Sequence, residues 1–131
     1  MTKKIPRIVI IGGGWAGCSA AVVARQLGAS VTLLERTDML LGTGLVGGIF
    51  RNNGRYTAAE ELSLLGNPIF ELLDKNSLHT NIDFPGHKHA SLYNVWTVEP
   101  IIREYLQNLG VEIHLSCRIT DLTIKNCLID S

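Results

Sequence analysis

The sequence predicts an α/β fold built on a small parallel sheet. Three observations carry the prediction. An apolar run, Ile8-Val9-Ile10-Ile11, has the length and β-branched content of a buried strand. Three spaced glycines, Gly12, Gly14 and Gly17, come directly after it and open an alanine-rich helical segment. A second apolar run, Val31-Thr32-Leu33-Leu34, closes on an acid, Glu35. Strand, helix and strand in this order make a βαβ unit, whose right-handed crossover sets the two strands parallel.

Each part of that unit has a physical task. Gly12 lets the chain leave the strand in a tight turn, and Gly14, lacking a Cβ, lets a phosphate approach the backbone. Gly17 lets the helix pack closely on the strands. The free N–H groups of the helix's first turn, Trp15 to Gly17, favour an anion. Glu35 lies 23 positions after Gly12, close to the roughly 20 expected of the acid that binds a ribose 2′-OH. Its carboxylate would repel a 2′-phosphate, which disfavours NADP. G-x-G-x-x-G in its strand–turn–helix context therefore predicts dinucleotide binding in a Rossmann-like sheet. An α/β core whose glycines serve only the turn is the alternative.

The first helix is expected over Trp15 to Leu27, ended by Gly28, and the second strand over Val31 to Glu35. From Arg36 to Arg55 the chain is glycine-rich yet apolar, which suits a backbone lying close to a ligand or folded under other elements. Gly42-Thr43-Gly44 offers N–H groups and a hydroxyl to a pyrophosphate or ribose. A flexible connector is the competing reading. Apolar spacing predicts a helix over Tyr56 to Leu65, ended by Gly66-Asn67-Pro68, and a short one over Ile69 to Leu73. Lys75 to Val95 reads as the least regular stretch, a polar loop or a lid anchored by Tyr93 and Trp96. It holds His79, His87 and His89. The pair at 87 and 89 would share one side of a strand, but no acid or cysteine nearby has metal-ligand spacing, so no metal site is expected.

Thr97 to Leu109 reads as a helix with Thr97 as N-cap, Glu99 in its first turn, Pro100 near its start and Ile101, Ile102, Tyr105, Leu106 and Leu109 on its buried side. Gly110 ends it. Val111 to Leu115 reads as a third strand. Ile119 to Ser131 reads as an antiparallel hairpin turning at Lys125-Asn126.

Composition narrows the function classes. At 131 residues there is room for one domain, and 46% hydrophobic residues suffice for a core. Twelve basic and twelve acidic residues cancel, so no nucleic-acid partner is indicated. No segment has transmembrane length and none reads as a signal peptide. Three widely spaced cysteines, Cys18, Cys117 and Cys127, argue against a disulfide framework and for a cytoplasmic setting. Cys18, near a helix N-terminus, is either a thiol of lowered pKa or, the favoured reading, a small residue packed on the sheet.

Strand, Gly12-x-Gly14-x-x-Gly17, Glu35-Arg36, Leu41-Gly42-Thr43-Gly44 and the helix–strand from Thr97 to Ile119 together resemble the FAD-dependent oxidoreductases. The class is the two-dinucleotide-domain flavoproteins, which includes those of succinate dehydrogenase and fumarate reductase. The resemblance implies that Gly12, Gly14, Trp15, Ala16 and Gly17 line the pyrophosphate. It implies that Glu35 binds the adenosine ribose with Arg36 beside it, that Gly42 and Thr43 lie along the pyrophosphate and ribityl side, and that Ile119 holds adenine. With no histidine or cysteine from Arg36 to Arg55, where covalent relatives attach their flavin, it implies non-covalent FAD. It also implies that 1–131 is the N-terminal region of a longer pattern, acting on a small-molecule substrate. Relatives usually carry glycine at the position of Leu41. Gly12-Gly13-Gly14-x-Ala16-Gly17-Cys18 is similar to the tRNA-modifying flavoproteins of the glucose-inhibited-division type. Glu35, an acid that family tends to lack, argues against that assignment. The alternatives are a stand-alone ADP- or NAD-binding module, whose incomplete sheet would pair with a partner chain or a second copy, and an NAD-dependent dehydrogenase domain.

Overall fold

The computed structural model describes residues 4–49, 51–52, 66–84, 87–126 and 128–129. The expected βαβ unit is present. Strand β1 (Arg7–Ile11) leads through the glycine turn into helix α1 (Trp15–Gln26), and β2 (Ser30–Leu34) returns parallel to β1. A 3-10 turn (Gly42–Gly44), the two-residue strand β3 (Arg51–Asn52) and helix α2 (Ile69–Lys75) come after it. Next are β4 (Ser77–Phe84), β5 (His87–Tyr93), helix α3 (Val95–Asn108) and β6 (Glu112–His114). A short antiparallel hairpin, β7 (Ile124–Lys125) and β8 (Leu128–Ile129), ends the described chain. The helix expected over Tyr56 to Leu65 lies outside the described residues, as does Cys127.

The main sheet has the order β1-β2-β6, all parallel, with Val9, Thr32 and Glu112 in one row and Ile11, Leu34 and His114 in another. Neighbours in such a row point to the same side of a sheet. Val31 and Leu33 point the other way and are buried, in one core with Cys18 and Val22 of α1 and Ile102 and Leu106 of α3. The fold is thus the α/β, Rossmann-like arrangement expected, with the hairpin appended.

Four expectations need correction. Strand β1 was expected to be buried, but Ile8, Val9 and Ile11 are 38%, 41% and 59% exposed. The physical reason is topology, since β1 is the edge of its sheet, and one sheet face is uncovered by the described residues. The stretch from Lys75 to Val95 is not an irregular loop. β4 and β5 form an antiparallel pair with shifted register, and β3 joins β5 to make a second sheet of order β3-β5-β4. Tyr93 is buried as an anchor, but Trp96 is 86% exposed and anchors nothing. Helix α3 is capped by Asn94, whose side chain accepts from Trp96 N at 3.1 Å, so Pro100 falls in the second turn and Thr97 is already helical. Asn94 precedes an apolar residue and supplies the oxygen that an N-cap requires.

Candidate functional site

The glycine turn is the centre of the site. Gly12 adopts φ +103°, a conformation that only glycine takes without strain, and its N–H donates to Leu34 O at 2.8 Å. A methyl group built on Gly12 or Gly14 meets nothing within 4 Å, so the space before both residues is open. Gly14 is the N-cap of α1, whose first helical bond is Cys18 N to Gly14 O at 2.9 Å. The N–H groups of Trp15, Ala16 and Gly17 precede that bond and are the donors a helix start presents to an anion. A methyl on Gly17, by contrast, collides with Gly12 O and comes within 3.5 Å of Ile10 Cγ2. Gly17 serves the packing of helix on strand rather than the wall of a cleft.

Two clefts flank this turn. One, of about 430 Å³, is lined by Gly12, Glu35, Arg36, Cys117, Arg118 and Ile119, together with Ile11 and Leu34. The structure therefore brings together the three residues assigned to the adenosine end, Glu35, Arg36 and Ile119, with Gly12 of the pyrophosphate turn. Cys117 and Arg118 join them. The other cleft, of about 360 Å³, is lined by Gly14, Trp15, Ala16, Leu41, Thr43, Gly44 and Ile49. Four residues assigned to the pyrophosphate and ribityl side, Gly14, Trp15, Ala16 and Thr43, meet there. Gly42 lies behind them, where a methyl on it would come within 3.3 Å of Gly14 Cα.

Glu35 is 6% exposed and its carboxylate is largely committed to the protein. Oε2 accepts from Gly13 N at 2.7 Å, and Oε1 accepts from Thr37 N at 2.8 Å and Thr37 Oγ1 at 2.9 Å. Burial pushes its pKa up. The bonds from Thr37 and Gly13, with nearby Arg36, outweigh burial and hold it below the ordinary carboxylate range. Two donors fill Oε1, so Oε2 keeps the acceptor capacity for one further hydroxyl. Glu35 lines the cleft and also ties the turn to the end of β2.

The segment after Glu35 is no loose connector. Leu41 N donates to Gly13 O at 2.7 Å, and Leu40, Leu41 and Leu45 are buried. Leu41 adopts φ +70°, the left-handed region that suits glycine. Gly44 lies against the Trp15 indole, which stacks edge-on with Phe70 and Tyr93 at 5.7 and 5.6 Å between ring centres. Trp15 Nε1 is buried with no hydrogen-bond partner among the described residues.

Cys18 is the packed residue, not the activated one. It is fully buried, its Sγ donates to Gly13 O at 3.2 Å, and burial pushes its pKa up to about 12. His87 and His89 fall on β5, and among the described residues no group of three or more His, Cys, Asp or Glu could hold a metal. Among the described residues no helix is long and apolar enough to cross a membrane.

Sequence reasoning missed Gly13 and Glu99. Gly13 was legible as the middle of a triple glycine. A methyl on it would meet Leu40 Cδ2 at 2.7 Å and Glu35 Cβ at 3.2 Å, so the turn is gripped from both sides there. Glu99 carries in sequence only the signal of a helix-start acid, yet it is 4% exposed and bonded to the segment beneath the turn.

The family model for glucose inhibited division protein A matches residues 7–129. The benzene 1,2-dioxygenase system ferredoxin–NAD(+) reductase subunit of Pseudomonas putida is 57% identical over 35 residues, 27% of this chain and 8% of the relative. Anaerobic glycerol-3-phosphate dehydrogenase subunit A1 of Haloferax volcanii is 36% identical over 62 residues, 47% of this chain and 11% of the relative. Among solved structures, that of CtdE in complex with FAD superposes with a TM-score of 0.59 at 19% identity, covering 96% of this chain and 36% of that one. The chain thus spans about a tenth of these curated relatives. The family match overturns the objection drawn from Glu35. In this chain the acid holds Gly13 N as well as facing the cleft. The succinate dehydrogenase-like subtype is not among what these matches support.

Proposed function

Because the chain belongs to the glucose inhibited division protein A family, we propose that it forms the FAD-binding portion of a flavin-dependent oxidoreductase, with FAD held non-covalently. The observation that carries this reading is the pair of clefts on either side of one open glycine turn. A dinucleotide is long, with adenosine at one end and a second ring at the other. It needs a phosphate-sized opening between two cavities, and this turn provides one.

Within that reading the residues divide the work. Gly12 and Gly14 leave room for the pyrophosphate, and the first N–H groups of α1 meet its charge. Glu35 accepts one ribose hydroxyl through Oε2, while Arg36, Arg118 and Ile119 border the adenine. Trp15, Ala16, Thr43 and Gly44 border the path beyond the pyrophosphate. Bound FAD would supply a two-electron acceptor for oxidation of a small-molecule substrate by hydride transfer. The chain is read as one dinucleotide-binding domain, and as the N-terminal part of a longer protein on the ground of its share of its relatives.

A second reading rests on the exposed edge and face of β1. A module that binds only the ADP part, completed by a partner chain or a second copy pairing along β1, would leave those residues open in the lone chain. Isothermal titration with FAD, ADP and NAD in parallel separates the readings. FAD binding much tighter than ADP supports the flavoprotein site, and equal affinities support the module. Binding of none of the three overturns both.

A further inference from the structure

We propose that Glu99 is a positioning residue of the dinucleotide site: from helix α3 it fixes the height of the Leu40–Gly44 segment against the glycine turn. The proposal rests on the reading of that turn as a pyrophosphate cradle.

The geometry is specific. Glu99 Oε1 accepts from Leu40 N at 3.1 Å, across 59 residues of sequence. The same oxygen accepts from Arg103 Nε at 2.8 Å and Arg103 Nη2 at 2.6 Å. Arg103 Nη2 also donates to Asp38 O at 3.3 Å. Two side chains one turn apart on α3 therefore hold both ends of the three-residue stretch 38–40. A carboxylate buried this deeply must be paired to be tolerated, and Arg103 supplies the charge. Leu40 N is the contact that a plain ion pair does not require.

Leu40 and the residues after it form the floor of the site. Leu40 Cδ2 presses on Gly13, Leu41 N bonds to Gly13 O, Gly42 backs onto Gly14, and Gly44 supports the Trp15 indole. Glu35 grips Gly13 from the other side. The turn is held between two buried acids, of which only Glu35 is visible in the dinucleotide fingerprint. Releasing Leu40 N would let the floor drop away from Gly14 and change the width of the opening that the phosphates enter.

The test uses the whole chain carrying Trp96→Phe. Trp96 is exposed and lines neither cleft, and its removal leaves Trp15 as the only tryptophan. Glu99→Ala and Glu99→Gln are compared by ADP affinity, FAD affinity and Trp15 emission, well below each variant's melting temperature. All three donors converge on one oxygen, and a glutamine carbonyl can occupy that place. The expected result is that Glu99→Ala weakens ADP and FAD by about tenfold, the scale of one lost hydrogen bond, and shifts Trp15 emission. Glu99→Gln is expected to restore affinity to within about threefold and return the emission. Wild-type ADP affinity with unchanged emission in Glu99→Ala overturns the proposal, leaving an ordinary structural ion pair. If Glu99→Ala does not fold, the double variant Glu99→Met with Arg103→Met carries the test. It removes the buried carboxylate together with its charge partner and still releases Leu40 N, and unchanged affinity and emission there likewise overturn the proposal. If the unmutated chain binds neither nucleotide, the dinucleotide reading fails, and an emission shift in Glu99→Ala still establishes the hold of Glu99 on the floor.

Discussion

Glu35 Oε2 accepts the backbone N–H of Gly13 at 2.7 Å, so the acid at the end of β2 is bonded to the middle of the glycine turn after β1. Together with Thr37, three donors surround two oxygens, and only a carboxylate satisfies them all. Glu35→Gln turns an amide NH₂ toward Gly13 N–H or Thr37 N–H, donor against donor. We expect a loss of about 1–3 kcal/mol in stability at pH 7. The folded pKa of Glu35 lies below its unfolded value. Its contribution is therefore complete above the ordinary glutamate pKa of about 4.3 and is lost as pH falls through the lower folded value. Urea unfolding of both proteins at pH 7 and in that acidic range should show the gap narrowing. An equal gap at both pH values would sink the explanation.

Two glycine substitutions separate folding from binding. Gly17→Ala drives a methyl into Gly12 O, which is backbone and cannot move aside. We expect a loss of about 3 kcal/mol or more, or failure to fold. Gly14 has φ −68° and ψ −177°, which alanine adopts freely, and its methyl would meet nothing. Gly14→Ala should melt like the unmutated chain and bind ADP and FAD at least tenfold more weakly, roughly one hydrogen-bond equivalent. Melting curves and titrations of the two variants decide it, and unchanged ADP binding by Gly14→Ala would remove Gly14 from the site.

The βαβ unit was legible because its signals are local. Ile8 to Ile11, the glycine spacing and the Gly28 stop each lie within a few residues of the structure they specify. The adenosine cleft was largely legible for the same reason, since β2 ends beside the turn by construction of the fold. What escaped depends on contacts distant in sequence. The burial of Glu99 comes from its pairing with Leu40, 59 residues away, and nothing around Glu99 signals that. The β4–β5 pair carries threonine, histidine and asparagine where a strand usually alternates apolar and polar residues, so periodicity gave it no weight. The exposure of β1 is a property of sheet order. An apolar β-branched run reads the same at an edge as in the centre.

Leu41 sets two effects against each other. At φ +70° a non-glycine residue carries roughly 1–2 kcal/mol of backbone strain, which glycine would relieve. Its side chain is nearly fully buried, and truncating a buried leucine costs about 2–5 kcal/mol. Packing should win, so Leu41→Gly is expected to lower stability by about 1–3 kcal/mol. The urea midpoint gives the sign. A stabilised variant would mean that strain dominates at this position.

Cysteine reactivity reads out the adenosine cleft without requiring catalysis. Cys117 is half-buried in the wall that also carries Glu35, Arg36 and Arg118, and its backbone N–H donates to Glu35 O at 2.8 Å. Cys18 is fully buried with its thiol pushed up to about 12, so almost none of it is the reactive thiolate at neutral pH. With Cys127 replaced by serine, a thiol reagent such as iodoacetamide should label Cys117 and spare Cys18. An adenine nucleotide seated against Gly12, Glu35 and Ile119 covers Cys117, so saturating ADP should slow labelling at least fivefold, roughly the occupancy expected well above Kd. Mass spectrometry of the peptides containing residues 18 and 117 assigns each adduct. If ADP binds in the titration yet leaves the Cys117 rate unchanged, adenosine sits elsewhere, and the assignment of the cleft between Gly12 and Ile119 falls while the glycine turn itself remains in question only through Gly14→Ala.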